Sequence, residues 1–350
     1  MERQIEKITN ILHAYRIGHR IPGLAAGIIL NGQIFYIRGF GTTNASSYRL
    51  FTADTLFALQ DMTSLFTAQS MLHLAQHSDF SINKPLKDHL SCFDSQELRS
   101  ITTKHILSHE TGFTGDFPLV SSLDSEMSLW YQDIPAYKEN LEEMQRIIGT
   151  HAIQSREDIA SSFSKLPLKH RPGSQTEYNI EPFLLAAIIL EKLSGMTWEA
   201  YITTHIFQPL GLNKTRIHLD AAAANEASSH YINAIGQPIE APVPYNPLGA
   251  PIASIFSTVN EMLVFLEHCL LQSKQATGAF IQDTPSVFMQ GWHIEEEDGK
   301  QIWSLSGNQL GGSSYIEMVP AFSYGAVIFA NIDMLRLPRL AKRIRNFLLP

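Results

Sequence analysis

Cysteine is nearly absent: Cys92 and Cys269 are the only two in 350 residues, they lie far apart, and neither belongs to a C-x-x-C pair. That excludes a disulfide framework or a cysteine-built zinc site and leaves reduced core thiols as the expectation. Positive charge is also scarce. With 26 Lys and Arg against 34 Asp and Glu, the net charge is −8, so no basic field gathers nucleic acid or anionic lipid by counterion release. No stretch reaches the roughly 18 uninterrupted apolar residues of a membrane span. The segment Met1-Glu2-Arg3-Gln4-Ile5-Glu6-Lys7-Ile8 is charged and amphipathic and lacks the apolar core of a secretory signal. The expectation is a cytoplasmic protein with a small-molecule substrate or ligand and neither nucleic acid nor membrane as partner. Internal repeats, low-complexity tracts, G-x-G-x-x-G and phosphate loops are missing as well, and no cofactor is implied.

What is present is a hydrophobic fraction of 44%, enough for a large buried core. Ile5, Ile8, Ile11, Leu12 and Tyr15 recur at helical spacing and predict an opening amphipathic helix. Two β-rich runs, Leu24 to Leu30 and Gln33 to Gly39, flank Asn31-Gly32 and predict a tight hairpin. Helical periodicity then dominates, notably over Leu65 to Ala75, Pro182 to Leu193 and Val259 to Leu271. Strand-like runs return at Phe288 to Ile294, Ile302 to Leu305, Ser313 to Val319 and Tyr324 to Ala330. Between the first two, Glu295-Glu296-Glu297-Asp298-Gly299 reads as a solvated hairpin tip. Pro338 to Leu349 predicts a final helix packed on the sheet, with a basic membrane-surface helix as the alternative. The order points to an α+β fold: an antiparallel sheet from residues 1–53 and 267–350, flanked by terminal helices, with a mostly helical domain inserted at 54–266. A long connection, 114–170, carries Trp130, Tyr131 and Tyr137 and is either a lid or ordinary packing.

Six segments in order carry a resemblance. They are Ile21-Pro22-Gly23-Leu24 with Gly39-Phe40-Gly41; Asp54-Thr55-Leu56-Phe57; Ile106-Leu107-Ser108-His109-Glu110-Thr111-Gly112; Pro172-Gly173 through Tyr178 to Pro209-Leu210-Gly211-Leu212 and Thr215; Leu248-Gly249 to Phe265; and Ser306-Gly307 to Gly311-Gly312-Ser313-Ser314. Together they resemble the serine β-lactamase and penicillin-binding-protein-like family, on its class C β-lactamase and esterase-like branch, over roughly residues 21–333. The resemblance implies a β-lactamase/transpeptidase-like fold with the site in the cleft between sheet and helical part.

The same resemblance shows what has been lost. Where the family carries Ser-x-x-Lys, this chain has Asp61-Met62-Thr63-Ser64; where it carries Tyr-x-Asn, Tyr178-Asn179-Ile180; where it carries Lys/His-x-Gly, Leu305-Ser306-Gly307. An acyl-serine route needs a hydroxyl and a lysine one helical turn apart to exchange a proton. Neither position holds the required group, so that chemistry is not expected. Asp61 is either an acid/base group or a helix cap; Tyr178 is the candidate proton donor; Ser64 is a pocket hydroxyl more than a nucleophile. Asn179, Ser306, Asn308 and Gln60 are the expected substrate contacts, with backbone N–H groups of Asp61 and Asn308 as an inherited oxyanion hole. His105 and His109 have metal-ligand spacing but no intervening glutamate, and His109 matches the family's structural histidine, so no metal is expected. The functional reading is a repurposed, non-acylating enzyme for cyclisation, isomerisation or elimination. The alternatives are a pseudoenzyme that binds a ligand or partner, and an unconventional hydrolase or acyltransferase using Ser64 or Ser306.

Overall fold

The computed structural model describes residues 1–44, 48–115, 129, 133–149, 153–234, 237–241, 246–275 and 288–350. The chain opens with α1 (Glu2–Gly18), whose Ile8, Ile11 and Leu12 are buried. Strands β1 (Gly23–Leu30) and β2 (Gln33–Gly41) follow. Asn31 and Gly32 both take positive φ, 55° and 75°, the left-handed pair that a two-residue hairpin turn demands. Short strands β3 (Phe57–Ala58) and β6 (Phe256–Ser257) pair with each other, as do β4 (His230–Ala234) and β5 (Gln237–Ala241). The late strands are β7 (Phe288–Met289), β8 (Trp292–Glu297), β9 (Lys300–Gln309), β10 (Gly312–Val319) and β11 (Tyr324–Ala330). They join the first hairpin in one sheet ordered β2-β1-β11-β10-β9-β8-β7. Leu24 stands opposite Ala330, so the sheet is built from both ends of the chain.

Both faces of this sheet are covered, which is why β1 and β11 are buried along nearly their whole length and read as apolar runs. On one face, α1 and the terminal helix α5 (Leu337–Leu348) pack Ile8, Leu12, Leu340 and Ile344 against Ile28, Tyr315 and Ile328. The basic final helix is therefore docked on the sheet. Its Arg345 reaches into the layer and pairs with Glu317, a carboxylate with no exposed surface, while also meeting Glu297 at 2.6 Å. Tyr315 donates to the same Glu317 at 3.0 Å. Burial pushes the Glu317 carboxyl above its usual range against the pull of Arg345 and the phenols. Glu297 also pairs with Lys342. The acidic run is largely the solvated hairpin tip expected: Glu295, Glu296, Asp298 and Gly299 are exposed and Asp298 and Gly299 make the turn, while the half-buried Glu297 ties that edge to α5.

The other face carries the helical part. Among the described residues its long central helices are α2 (Thr63–His77), α3 (Phe183–Ser194) and α4 (Val259–Gln275). In α3, eight consecutive residues from Phe183 to Leu190 are buried, as expected for a helix surrounded by protein on all sides. Trp198 donates its indole N–H to Thr67 at 3.0 Å, pinning α2 in the middle of this layer. Helix α4 lies on β1 and β11, and residues 266 and 267 fall inside it. Met62 and Met71 are core residues; Met127, Trp130 and Tyr131 lie outside the described residues. Tyr137 sits in a helix, Pro135–Ile148, that buries Met144 and Ile148 in the core. Among the described residues, no helix is long and apolar enough to cross a membrane.

Candidate active site

The turn that opens α2 is held from two sides. Leu59 donates its N–H to Ile255 at 2.8 Å and accepts Ser314 Oγ at 3.0 Å. Gln60 follows with φ 58°, a left-handed conformation that costs a non-glycine residue free energy and persists only where the surroundings impose it. Gly307 on β9 permits this: a Cβ there would lie 2.5 Å from the Leu59 carbonyl and 2.3 Å from Ser314 Oγ. The Gln60 side chain is buried, and its Oε1 meets no hydrogen-bond partner among the described residues. The sequence-expected contact residue therefore lies beneath the turn, with its Nε2 close to Gly312 and His230.

The strained turn presents Asp61 to the cleft, half-buried. Helix α2 has Met62 at its N-cap and no side-chain capping bond there. The Asp61 carboxylate instead accepts the Tyr178 hydroxyl at 3.3 Å, a loose contact by hydrogen-bond standards. Tyr178 keeps 41% of its surface exposed, but its hydroxyl is directed at Asp61. Burial there, followed by the Asp61 charge and hydrogen bond, raises the phenol well above its usual 10. Tyr178 is thus a protonated donor facing a carboxylate. Ser64 is fully buried and donates to the Asp61 carbonyl at 2.7 Å, so its hydroxyl closes the first turn of the helix.

The other expected contacts are placed as follows. Asn179 is buried, its amide N–H donating to the Thr114 carbonyl at 2.9 Å and its oxygen accepting the Glu181 N–H at 3.0 Å. Both ends of its amide hold loop backbone. On β9, Gly307 pairs with Ser314 on the face toward Gln60, while Ser306 and Asn308 stand opposite Tyr315 and Ser313. Pleat alternation directs the Ser306 and Asn308 side chains to the α1/α5 face, which leaves their backbone as what they can bring to the cleft. Leu305 is buried in the core.

Three aromatic residues on the Tyr178 side of the pair, and His230 beneath the turn, were not read from the sequence as site residues. His109, at φ 53°, lies 4.9 Å from the tilted Tyr178 ring and meets Phe288 edge-on at 4.4 Å, and Phe288 lies 5.0 Å from His293. The His109 Nδ1 meets the Asn179 backbone at 2.9 Å. His105 is occupied elsewhere, accepting the Thr102 N–H in a capping box. His230 stacks on Phe57 with centroids 4.9 Å apart and is 1% exposed. Spacing gives no hint of His230 or Phe288, since each arrives from a distant segment.

Burial lowers both His109 and His230 from 6.5 to about 4. Their folded forms are neutral while the unfolded chain takes up protons near 6.5. Stability is therefore full above that pH and falls as pH drops toward 4, by about 1.4 kcal/mol per pH unit for each ring. Urea midpoints measured between neutral and mildly acid pH should fall accordingly, and His230→Phe, which keeps the stack on Phe57, should flatten the slope by about one proton.

An antiparallel sheet closed by terminal helices, with a short strained turn delivering a side chain at the head of a central helix, defines a β-lactamase/transpeptidase-like protein. A family model described as Beta-lactamase matches residues 8–347, and the chain belongs to that family. Among solved structures it is similar to the octameric penicillin-binding protein homologue from Pyrococcus abyssi, with TM-score 0.78, 18% identity, and coverage of 98% of this chain and 76% of that one. It is also similar to a class C beta lactamase from Rhodobacter sphaeroides, with TM-score 0.74, 18% identity, and coverage of 98% and 99%. Protein flp of Staphylococcus aureus is 23% identical over 365 residues, covering 99% of this chain; the chain spans 66% of the length of flp. Penicillin-binding protein 4 of Amycolatopsis lactamdurans is 20% identical, with 91% of this chain and 83% of that protein covered.

Proposed function

We propose that this chain is a non-acylating enzyme in which Asp61 and Tyr178 exchange protons with a small cytosolic molecule, in a cyclisation, isomerisation or elimination. The observation that carries the reading is the Tyr178–Asp61 hydrogen bond, set where a serine β-lactamase would hold its nucleophile. The Asp61 carboxylate removes a proton from the bound molecule, and the Tyr178 O–H gives its proton to the negative charge that develops elsewhere on it. The phenolate so formed recovers a proton from the Asp61 carboxyl across their contact, and both groups return to their starting forms. No acyl intermediate enters, in keeping with a Ser64 hydroxyl bound to backbone and an apolar Leu305. Backbone N–H groups of Asp61 and Asn308 would polarise a carbonyl in the substrate. Two free thiols, one exposed and one buried, fit a reducing compartment.

The test begins with intact-mass measurement after exposure to a fluorophosphonate and to a β-lactam, where no adduct is expected. Incubation with fractionated small-molecule extract should convert one compound to an isomer or to a product lacking one small leaving group. A covalent adduct that disappears in Ser64→Ala would overturn the proposal in favour of acyl-serine chemistry, and tight binding of a compound that is never converted would favour a pseudoenzyme.

A further inference from the structure

Twelve residues beyond Asp61, and so about 18 Å along the axis of α2, a cavity of about 250 Å³ opens between α2, α4 and the segment that follows Ile202. Its polar wall carries Gln69 and His73 from α2, His205 and, from α4, His268; Phe265 and Leu210 are on its apolar wall. His205 is placed there by a π-helical stretch, Thr203–Phe207, a local widening of the helix that recurs at functional sites because it redirects a side chain. The ring of His205 thereby comes within 5.0 Å of His73 and 4.4 Å of Tyr201.

Gln69 is the telling residue. It is 5% exposed and makes no side-chain hydrogen bond among the described residues, yet it lines this cavity. Its amide is open to the cavity and can donate to or accept from whatever enters there. His73 has one nitrogen on Tyr201 at 2.9 Å, and the other has no hydrogen-bond partner among the described residues. No acidic side chain is on the wall among the described residues. A transition metal fits poorly, because His73 and His77 are stacked at 4.1 Å and 22° and their lone pairs do not converge; among the described residues no three ligand side chains are arranged to hold one.

We propose that this cavity binds a small monocarboxylate with an apolar or aromatic body, its carboxylate against Gln69, His73, His205 and His268 and its body against Phe265 and Leu210. The proposal is independent of the Asp61–Tyr178 reading. The titratable groups facing the site are these three histidines, with His77 and Tyr201 behind His73. Burial lowers His73 and His268, and His77 and His205 lower His73 further, so the cavity takes up a proton as the anion arrives. Binding strengthens as pH falls below neutral.

Benzoate is the probe, titrated into the full chain while the histidine ring signals are followed by NMR. Saturable shifts are expected at His73, His205 and His268, with affinity at least about fivefold higher near pH 6 than near pH 7.5. Gln69→Leu, close in volume, and separately His268→Gln, should each weaken binding by about tenfold. Inorganic phosphate and benzyl alcohol should each bind at least about tenfold more weakly than benzoate. The proposal is overturned by any of four results: no saturation at tens of millimolar, phosphate or benzyl alcohol matching benzoate, affinity independent of pH, or shifts confined to His109 and His293 beside the Asp61 cleft.

Discussion

Asp61→Asn is expected to lower turnover by about a thousandfold or more while leaving thermal unfolding nearly unchanged. The amide keeps the size and the acceptor oxygen that meets Tyr178, so the loss isolates the base, a function worth on the order of 10² to 10⁴ in rate. Tyr178→Phe removes the acid and should cost roughly a hundredfold in kcat with a smaller change in KM. If the proposed pair acts as a unit, the double variant should be little worse than the more damaged single one. The rate should hold on the alkaline side until well above the usual phenol range, since the protonated form of Tyr178 is the competent one and its pKa is raised. Ser64→Ala is the control: it deletes one hydrogen bond to backbone and should leave turnover within a few fold. A ligand that binds wild type and Asp61→Asn equally, with no conversion by either, would sink the acid–base reading.

Arg345→Leu should be the most destabilising single change outside the cleft, by about 3–5 kcal/mol. The guanidinium is 3% exposed in its side chain and bridges Glu317, which has no exposed surface, to Glu297. Its removal leaves the Glu317 carboxyl facing only phenols in a low-dielectric layer, where the charged form is strongly penalised. That carboxyl, already raised by burial, would rise further, so the variant would fold with an added proton and lose stability as pH increases. Urea unfolding at several pH values reads both effects. Adding Glu317→Met to Arg345→Leu should recover most of the loss, because an apolar pair of similar size needs no compensation. Equal destabilisation in the single and double variants would show that shape, and not the stranded charge, sets the cost.

Local chemistry is what the sequence makes legible. Asn31-Gly32 dictates its hairpin, the spacing from Ile5 to Tyr15 dictates α1, and the continuous apolar run from Phe183 to Leu190 marks a helix with no solvent face. Asp61 and Tyr178 could be named from motif position, and the structure brings them into contact across 117 residues of sequence. What escaped is what depends on distant approach. Nothing near His109 announces Phe288, and nothing near Glu297 announces Arg345. The role of Asn179 turned on a single residue of register, which side-chain type cannot settle when both amide ends can serve a loop as readily as a ligand. The left-handed Gln60 is similarly invisible, since the room for it is left by the missing Cβ of Gly307 on a strand contributed much later.

The pairing of Leu24 with Ala330 sets a timetable for biosynthesis. While the ribosome is still adding the last strands, the opening hairpin has an unmatched edge and no neighbour to cover it, whereas α2 and α3 can already meet. Such distant partners make closure late and slow compared with the local helices. Nascent chains arrested before residue 324 should therefore be protease-sensitive over residues 23–41 and depend on chaperones to keep that ribbon from joining another copy.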